Sequence, residues 1–172
     1  MTLNIPDWEL VVESDVSDCW GKGHDWEAVA RIAARAAHNV EPLLDNPRLH
    51  VSMIFADDKE VHGLNREWRD RDKPTNVLSF PMLPRAELLA LGREGPPVML
   101  GDIALAFETC EREAQAKGVM LVDHATHLII HGLLHLAGYD HVHSDEEAEA
   151  MEAMEIAALA KLGIPDPYGT SD

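Results

Sequence analysis

The chain has 172 residues, with 31 Asp and Glu against 14 Lys and Arg, and a formal net charge of −17. This charge argues against broad nonspecific binding of nucleic acid, which depends on neutralising phosphates, so a nucleic-acid role would need a local basic patch. No apolar run approaches the roughly 18 residues of a membrane span, and the N-terminus shows no export signal. Cys19 and Cys110 form no CxxC motif, which is typical of reduced thiols in a cytosolic protein.

The first half of the chain alternates strand signals with helix signals. Short apolar runs and period-two alternation predict strands at residues 8–12, 49–56 and 76–81. Asp25 is a predicted N-cap for the helix after the first strand, and Asp57 or Asp58 caps the helix after the second. Residues 83–97 contain two glycines and three prolines and are predicted to form a loop.

The second half combines one more strand with three helices. The alternation in residues 101–107 predicts a strand with one small face, suited to close packing against a helix. After a charged helix, Asp123 is a predicted cap for a helix at about residues 124–137. Ser144 opens a capping box, S-x-x-E, for a last helix, and we interpret the acidic run 145–155 as its solvated face.

The resulting order, β-α-β-α-β-β-α-α-α, favours parallel neighbours in the first half and an antiparallel pair between strands 76–81 and 101–107. We therefore predict an α+β fold, a small mixed β-sheet of about four strands packed with about five helices. Residues 1–172 are expected to form a single domain, because a chain of this length can bury one substantial core.

The motif HGLLHLAGYDH, residues 131–141, carries the chemistry. His131 and His135 are four residues apart, so on a helix they share one face. Gly138 ends such a helix at low cost and lets the chain return His141 toward the other two. Three converging imidazoles with an open fourth position are typical of a catalytic zinc site, a zincin-like metal helix. Chance remains an alternative, because the chain has ten histidines.

A zinc-bound water has its pKa lowered to about 7, so the expected reaction is hydrolysis and the chain is predicted to be a metal-dependent hydrolase. The ligand offsets match those of metzincin proteases, HExxHxxGxxH. The glutamate that serves those proteases as general base is replaced by Gly132. Since glycine cannot take a proton from water, peptide hydrolysis by that mechanism is disfavoured.

Three neighbours of the motif have two interpretations each. His124 and His127 share the helical face of His131, and either line a cleft toward the metal or are partly exposed near the helix start, which we favour. Asp140 either orients a ligand imidazole or merely shapes the turn.

A second cluster, REWRDRDK, is rich in cations. It is either a solvated surface segment or a phosphate-binding one, since arginine suits bidentate phosphate contacts. Its cations are Arg66, Arg69, Arg71 and Lys73.

Taken together, HGLLHLAGYDH, DKPTNVLSFP at residues 72–81 and GDI at residues 101–103 resemble the YbeY family of bacterial endoribonucleases. The resemblance runs from about residue 49 to Pro167, with DPY near the end. It implies a cytoplasmic, zinc-dependent, single-strand-specific endoribonuclease that acts in ribosomal RNA processing, notably at the 3′ end of the small-subunit RNA, and in ribosome quality control. It also implies that His131, His135 and His141 are metal ligands and that Arg69 is the catalytic arginine.

The small-subunit ribosomal RNA is thus the expected partner, with no membrane. Because the chain is strongly acidic, a small-subunit ribosomal protein or a ribosome-assembly GTPase is expected to help hold it on that RNA. Two alternatives stay open. One is a metalloprotease, against which Gly132 counts, and the other is a non-catalytic assembly factor in which zinc stabilises the fold.

Overall fold

The computed structural model describes residues 10–69, 75–139 and 144–168. Within these ranges the chain forms an α+β fold, as predicted. The strands are β1 Val11–Val16, β2 Leu49–Ala56, β3 Val77–Pro81 and β4 Val98–Ala106. The α-helices are α1 Trp26–Val40, α2 Asp58–Arg69, α3 Arg85–Ala90, α4 Phe107–Lys117, α5 Leu121–Leu136 and α6 Asp145–Lys161.

The four strands form one mixed sheet in the order β1-β2-β4-β3. The pairs β1–β2 and β2–β4 are parallel, while β3 and β4 are antiparallel, which confirms the predicted pairing of the third and fourth strands. The sheet has helices on both faces because its strands alternate between two buried surfaces. On one face, inward side chains of β2 such as Phe55 join a large core with α1, α5 and α6.

The opposite face carries small side chains of β2 and β4 where it packs against α2. Ala56, Ala104 and Ala106 contact Val61 of that helix in a second, smaller core, which Leu78 completes. This arrangement confirms the close helix packing that the alternation in residues 101–107 predicted.

Helix α5 lies at the centre of the fold. Eleven of its sixteen residues are buried, so the helix that carries the histidine motif is enclosed by the sheet, α1, α4 and α6. Among the described residues no single helix is long and apolar enough to span a membrane, and α4 with α5 would qualify only as a pair broken by a 114° bend.

Local capping signals were mostly confirmed. The side chain of Asp25 caps α1, and Asp57, rather than Asp58, caps α2 by accepting a hydrogen bond from the Glu60 backbone at 2.8 Å. Ser144 accepts one from the Glu147 backbone at 3.0 Å and begins α6.

Several boundaries differ from the predictions, and β4 in particular begins at Val98, not at residue 101, and ends at Ala106. The first described strand runs to Val16 instead of ending at residue 12, because it pairs with β2 along its whole length. The segment 83–97 is not entirely a loop, since α3 forms within it and buries Leu88 in the core. Asp123 is not a cap. Helix α5 begins at Leu121, which places Asp123 in its first turn, where a carboxylate favours the positive end of the helix dipole.

Candidate active site

His131 and His135 lie on one face of α5, as their spacing predicted, and their Nε2 atoms are 3.0 Å apart. The helix then ends. Gly138 adopts a φ of 106°, a left-handed conformation in which a side chain would be strained, and this confirms its predicted role as the helix stop. The third predicted ligand, His141, and Asp140 lie outside the described residues.

The second nitrogen of each imidazole faces an acceptor. The Nδ1 of His135 donates to the carbonyl oxygen of Tyr139 at 2.8 Å, because a carbonyl can only accept. The Nδ1 of His131 lies 3.3 Å from Oε1 of Glu155, and a carboxylate likewise favours a proton on that nitrogen. With a proton on each Nδ1, the neutral rings direct both Nε2 lone pairs toward each other, an arrangement that a bound cation would stabilise.

This geometry fits zinc. Two zinc–nitrogen bonds of about 2.0–2.1 Å at a tetrahedral angle place the nitrogens about 3.3 Å apart, close to the 3.0 Å found between His131 and His135. Second-nitrogen contacts to a carbonyl and a carboxylate are the usual supports of histidine ligands. The described residues contain no group of three or more histidine, cysteine or acidic side chains placed to hold a metal. The pair is therefore an incomplete ligand set without a further residue.

Glu155 contacts two histidines of α5 and a tyrosine near the end of the described chain. It is fully buried, and its Oε1 accepts hydrogen bonds from Nε2 of His127 at 2.6 Å and from the Tyr168 hydroxyl at 2.8 Å. Burial by itself would raise the pKa of Glu155, but the hydrogen bond from His127, the nearby His131 and the hydrogen bond from Tyr168 outweigh it and lower the pKa to about 2. A negative charge is therefore held next to His131.

The burial of Glu155 corrects the interpretation of the acidic run as solvated. The run 145–155 begins at the exposed start of α6, but its last residue falls on the inner face of the helix between Met151 and Ala158, which are both buried. A charge on the apolar side of a helix was a signal in the sequence that the interpretation missed, since buried charges need partners.

His124 and His127 are both buried, at 3% and 5% exposure, so the favoured interpretation of partial exposure is wrong. The Nε2 of His124 lies 2.8 Å from Oε1 of Glu113, which also accepts from Asn76 at 2.9 Å. Burial lowers the pKa of His124, against the opposing effect of Glu113. These side chains line a groove of about 330 Å³ that reaches His131. The cleft alternative for the two histidines is the one the structure supports.

Arg85, in the segment predicted to be a loop, holds the turn after α5. Its Nη1 donates to the carbonyl of Ala137 at 2.7 Å, its guanidinium lies 4.8 Å from the centre of the Tyr139 ring, and it approaches the buried Glu41 at 3.8 Å. Because the Tyr139 carbonyl is the acceptor for His135, Arg85 supports the orientation of that imidazole through the turn. No sequence pattern indicated this contact.

Gly132 faces the sheet and not the histidine face. A Cβ placed there would lie 3.0 Å from Cδ1 of Ile103 on β4, so even alanine would crowd the packing between α5 and the sheet. A glutamate at this position would bury its carboxylate in the core. The structure thus adds a packing reason to the chemical one against a metzincin-like site.

Arg69 is the last residue of α2, and its side chain lies outside the described residues, as do residues 70–74, which include Arg71 and Lys73. The start of α2 is firmly attached to α4, since Asp58 accepts from the Thr109 backbone at 2.9 Å and Glu108 accepts from the Asp58 backbone at 2.8 Å. The chain is described again from residue 75, and Asn76 already lines the groove.

Comparisons with known proteins agree with one another. A family model described as Endoribonuclease YbeY matches residues 18–163. The chain is 67% identical over 150 residues to the Endoribonuclease YbeY of Erythrobacter litoralis, covering 87% of this chain and 92% of that protein. It is 56% identical over 163 residues to that of Novosphingobium aromaticivorans, covering 94% and 98%. A solution structure from Thermotoga maritima, 22% identical, shares the fold with a TM-score of 0.55, covering 93% of this chain and all of that one.

The fold, the buried histidine site and these relatives define the class, which is a nuclease among the hydrolases. The chain belongs to the Endoribonuclease YbeY family. The match begins at residue 18, well before residue 49, where the recognisable motifs begin. The family resemblance is therefore confirmed and includes α1, which packs against the histidine helix.

Proposed function

We propose that this protein is a zinc-dependent endoribonuclease, specific for single strands, that matures the 3′ end of small-subunit ribosomal RNA and takes part in ribosome quality control in the cytoplasm. One observation supports it above the others. In a chain of the YbeY family, two imidazoles present facing lone pairs at 3.0 Å, each oriented from behind by an acceptor. Such a pair is suited to bind a divalent cation.

The proposed ligands are His131, His135 and His141. When bound, zinc supplies a water whose pKa is lowered to about 7, hence a nucleophile at neutral pH. The chain contributes the orientation. The Tyr139 carbonyl and Glu155 keep Nε2 of the two described ligands available, and the buried carboxylate of Glu155 orients the ring of His131 from its Nδ1 side.

Arg69 is the proposed catalytic arginine. Cleavage of a phosphodiester develops charge on the nonbridging oxygens, and a cation that meets this charge in the transition state accelerates the reaction. Arg69 ends α2 shortly before the chain reaches the groove at Asn76, so the connection between them is short. We assign Arg66, Arg71 and Lys73 to guiding the RNA backbone.

The net charge of −17 makes free RNA a poor partner at long range. We propose that a small-subunit ribosomal protein or a ribosome-assembly GTPase places the enzyme on its substrate. Recognition of the RNA itself would then depend on a few local contacts in the groove and at the end of α2.

The test is cleavage of a single-stranded RNA and of the same sequence in a duplex by zinc-loaded protein. We expect cleavage of the single strand only, loss of activity and of zinc in His135→Ala, and neither loss in His24→Ala, which removes an exposed histidine. Zinc-loaded protein that binds small ribosomal subunits yet leaves RNA intact would instead identify a non-catalytic assembly factor.

A further inference from the structure

The groove beside the histidine pair is large enough for part of a nucleotide chain. Its section of about 330 Å³ touches His131, His124 and Tyr168. A second hollow of about 480 Å³ continues past Lys117 toward Pro165, and both share Lys117, His124 and the neighbouring His127. These volumes lie in the range of small-ligand sites.

Tyr168 forms part of the groove wall and is held firmly. Its hydroxyl donates to Oε1 of the buried Glu155 at 2.8 Å, and its backbone nitrogen donates to Asp166 at 2.8 Å. Its ring contacts His127 with the centres 5.3 Å apart and the planes nearly perpendicular. The residue nevertheless stays 42% exposed, so an anchored aromatic ring is presented to the groove.

We infer that Tyr168 is a stacking platform for one unpaired base of the RNA, in the groove next to the histidine pair, with Lys117 near the adjoining phosphate. This inference rests on the proposed function. Stacking on an aromatic ring tolerates any base, because every base has a π face, and it requires a base that is free of its partner strand. An anchored ring also loses little entropy when the base binds.

A structural role alone does not account for this arrangement. If the only role of Tyr168 were to donate its hydroxyl hydrogen bond to Glu155, its ring could be fully buried. Instead the hydroxyl binds the buried Glu155 while Tyr168 remains exposed at the groove. The groove wall next to it is polar and preorganised, since Glu113 accepts from Asn76 and pairs with His124. An apolar ring beside fixed polar groups is the composition of a base-binding site.

The experiment is an abasic scan on zinc-loaded protein. Short single-stranded 2′-O-methyl RNA, which resists cleavage, is prepared with the base removed at one position at a time, and Kd is measured by fluorescence anisotropy. We expect one position at which removal weakens binding to the wild type by roughly 5- to 150-fold. The Tyr168→Leu variant should bind the intact oligonucleotide more weakly than the wild type by a similar factor in Kd. Removing the base at the sensitive position should then not weaken binding to this variant any further.

Tyr168→Phe keeps the ring without the hydroxyl and should retain the abasic effect, and 2-aminopurine at the sensitive position should be quenched on binding to the wild type. Zinc content is measured for each variant, so that damage to the metal site is distinguished from loss of stacking. A wild type that cleaves RNA but shows no sensitive position, or a Tyr168→Leu variant with an undiminished abasic effect, overturns the inference alone. If the wild type neither binds nor cleaves any RNA, the proposed function falls and the inference with it.

Discussion

Replacing Glu155 by glutamine is the sharpest perturbation of the proposed metal site, because it removes one charge and almost no volume. Oε1 of Glu155 lies 3.3 Å from Nδ1 of His131 and 2.6 Å from Nε2 of His127. An amide oxygen can still accept from both rings. What is lost is the negative charge that faces Nδ1 of His131 and holds this ring in one orientation.

The expected effect on metal binding follows from the role of such partners. Removing the carboxylate behind a histidine ligand typically costs 10- to 100-fold in metal affinity. That factor corresponds to about 1.4–2.7 kcal/mol. We predict a loss in this range for Glu155→Gln, because Nε2 of His131 remains in place and only the charge behind the ring and the hold on its orientation are lost.

The same variant should change the pH dependence of stability in the metal-free protein. The pKa of Glu155 is lowered from 4.5 to about 2, so its ionised form stabilises the fold above pH 4.5, and this contribution is lost as the pH falls toward about 2. The shift corresponds to about 3 kcal/mol. Glu155→Gln should therefore be less stable at neutral pH, and its free energy of unfolding should change less between those two pH values.

The assay is competition for zinc against a chromophoric chelator at neutral pH, together with urea unfolding across the acid range. Glu149→Gln, at an exposed position of the same helix, is the matched control and should leave both quantities unchanged. If Glu155→Gln binds zinc as tightly as the wild type and keeps the same acid profile, Glu155 does not support His131.

Three further predictions concern the neighbouring residues. Arg69→Ala should lower kcat by roughly 10²-fold or more with zinc still bound, because it removes a cation from the transition state. Lys73→Ala should mainly raise the Kd for RNA and reduce the salt dependence of binding. If Lys73→Ala lowers kcat and Arg69→Ala changes only Kd, the two roles are exchanged. Gly132→Glu should yield no protease and should unfold at lower denaturant, because its side chain would meet Ile103, so casein turnover would contradict the site geometry. Arg85→Ala should cost about 1–3 kcal/mol in urea unfolding and weaken zinc binding, and intact zinc affinity would show that the turn needs no support.

The parts of the fold that were predictable depend on local chemistry. Asp25 and Ser144 cap their helices because a short polar side chain can reach the free backbone N–H groups wherever the chain runs next. The strand at residues 49–56 was predictable from its period-two pattern, because alternate side chains of a strand point to opposite faces of the sheet. The facing of His131 and His135 followed from helical spacing alone.

The parts that were missed depend on tertiary contacts. Arg85 acts through the Ala137 carbonyl, more than fifty residues away in the chain, and its short helix is stabilised by the burial of Leu88. Glu155 was detectable in principle, since a charge among the apolar positions of α6 has to meet a partner, but nothing in the sequence said that the partner was His127. The exposure of His124 was misjudged because α5 begins earlier than the expected cap.

We propose that zinc on the histidine helix makes this chain a nuclease, and a metal titration separates this proposal from its alternatives. Chelator-treated protein is titrated with zinc while cleavage of single-stranded RNA and bound metal are measured on the same samples. We expect cleavage to rise in proportion to zinc up to about one ion per chain, and we expect His131→Ala neither to retain zinc nor to gain activity. Full zinc occupancy in His131→Ala, or undiminished cleavage by the metal-free wild type, would contradict it.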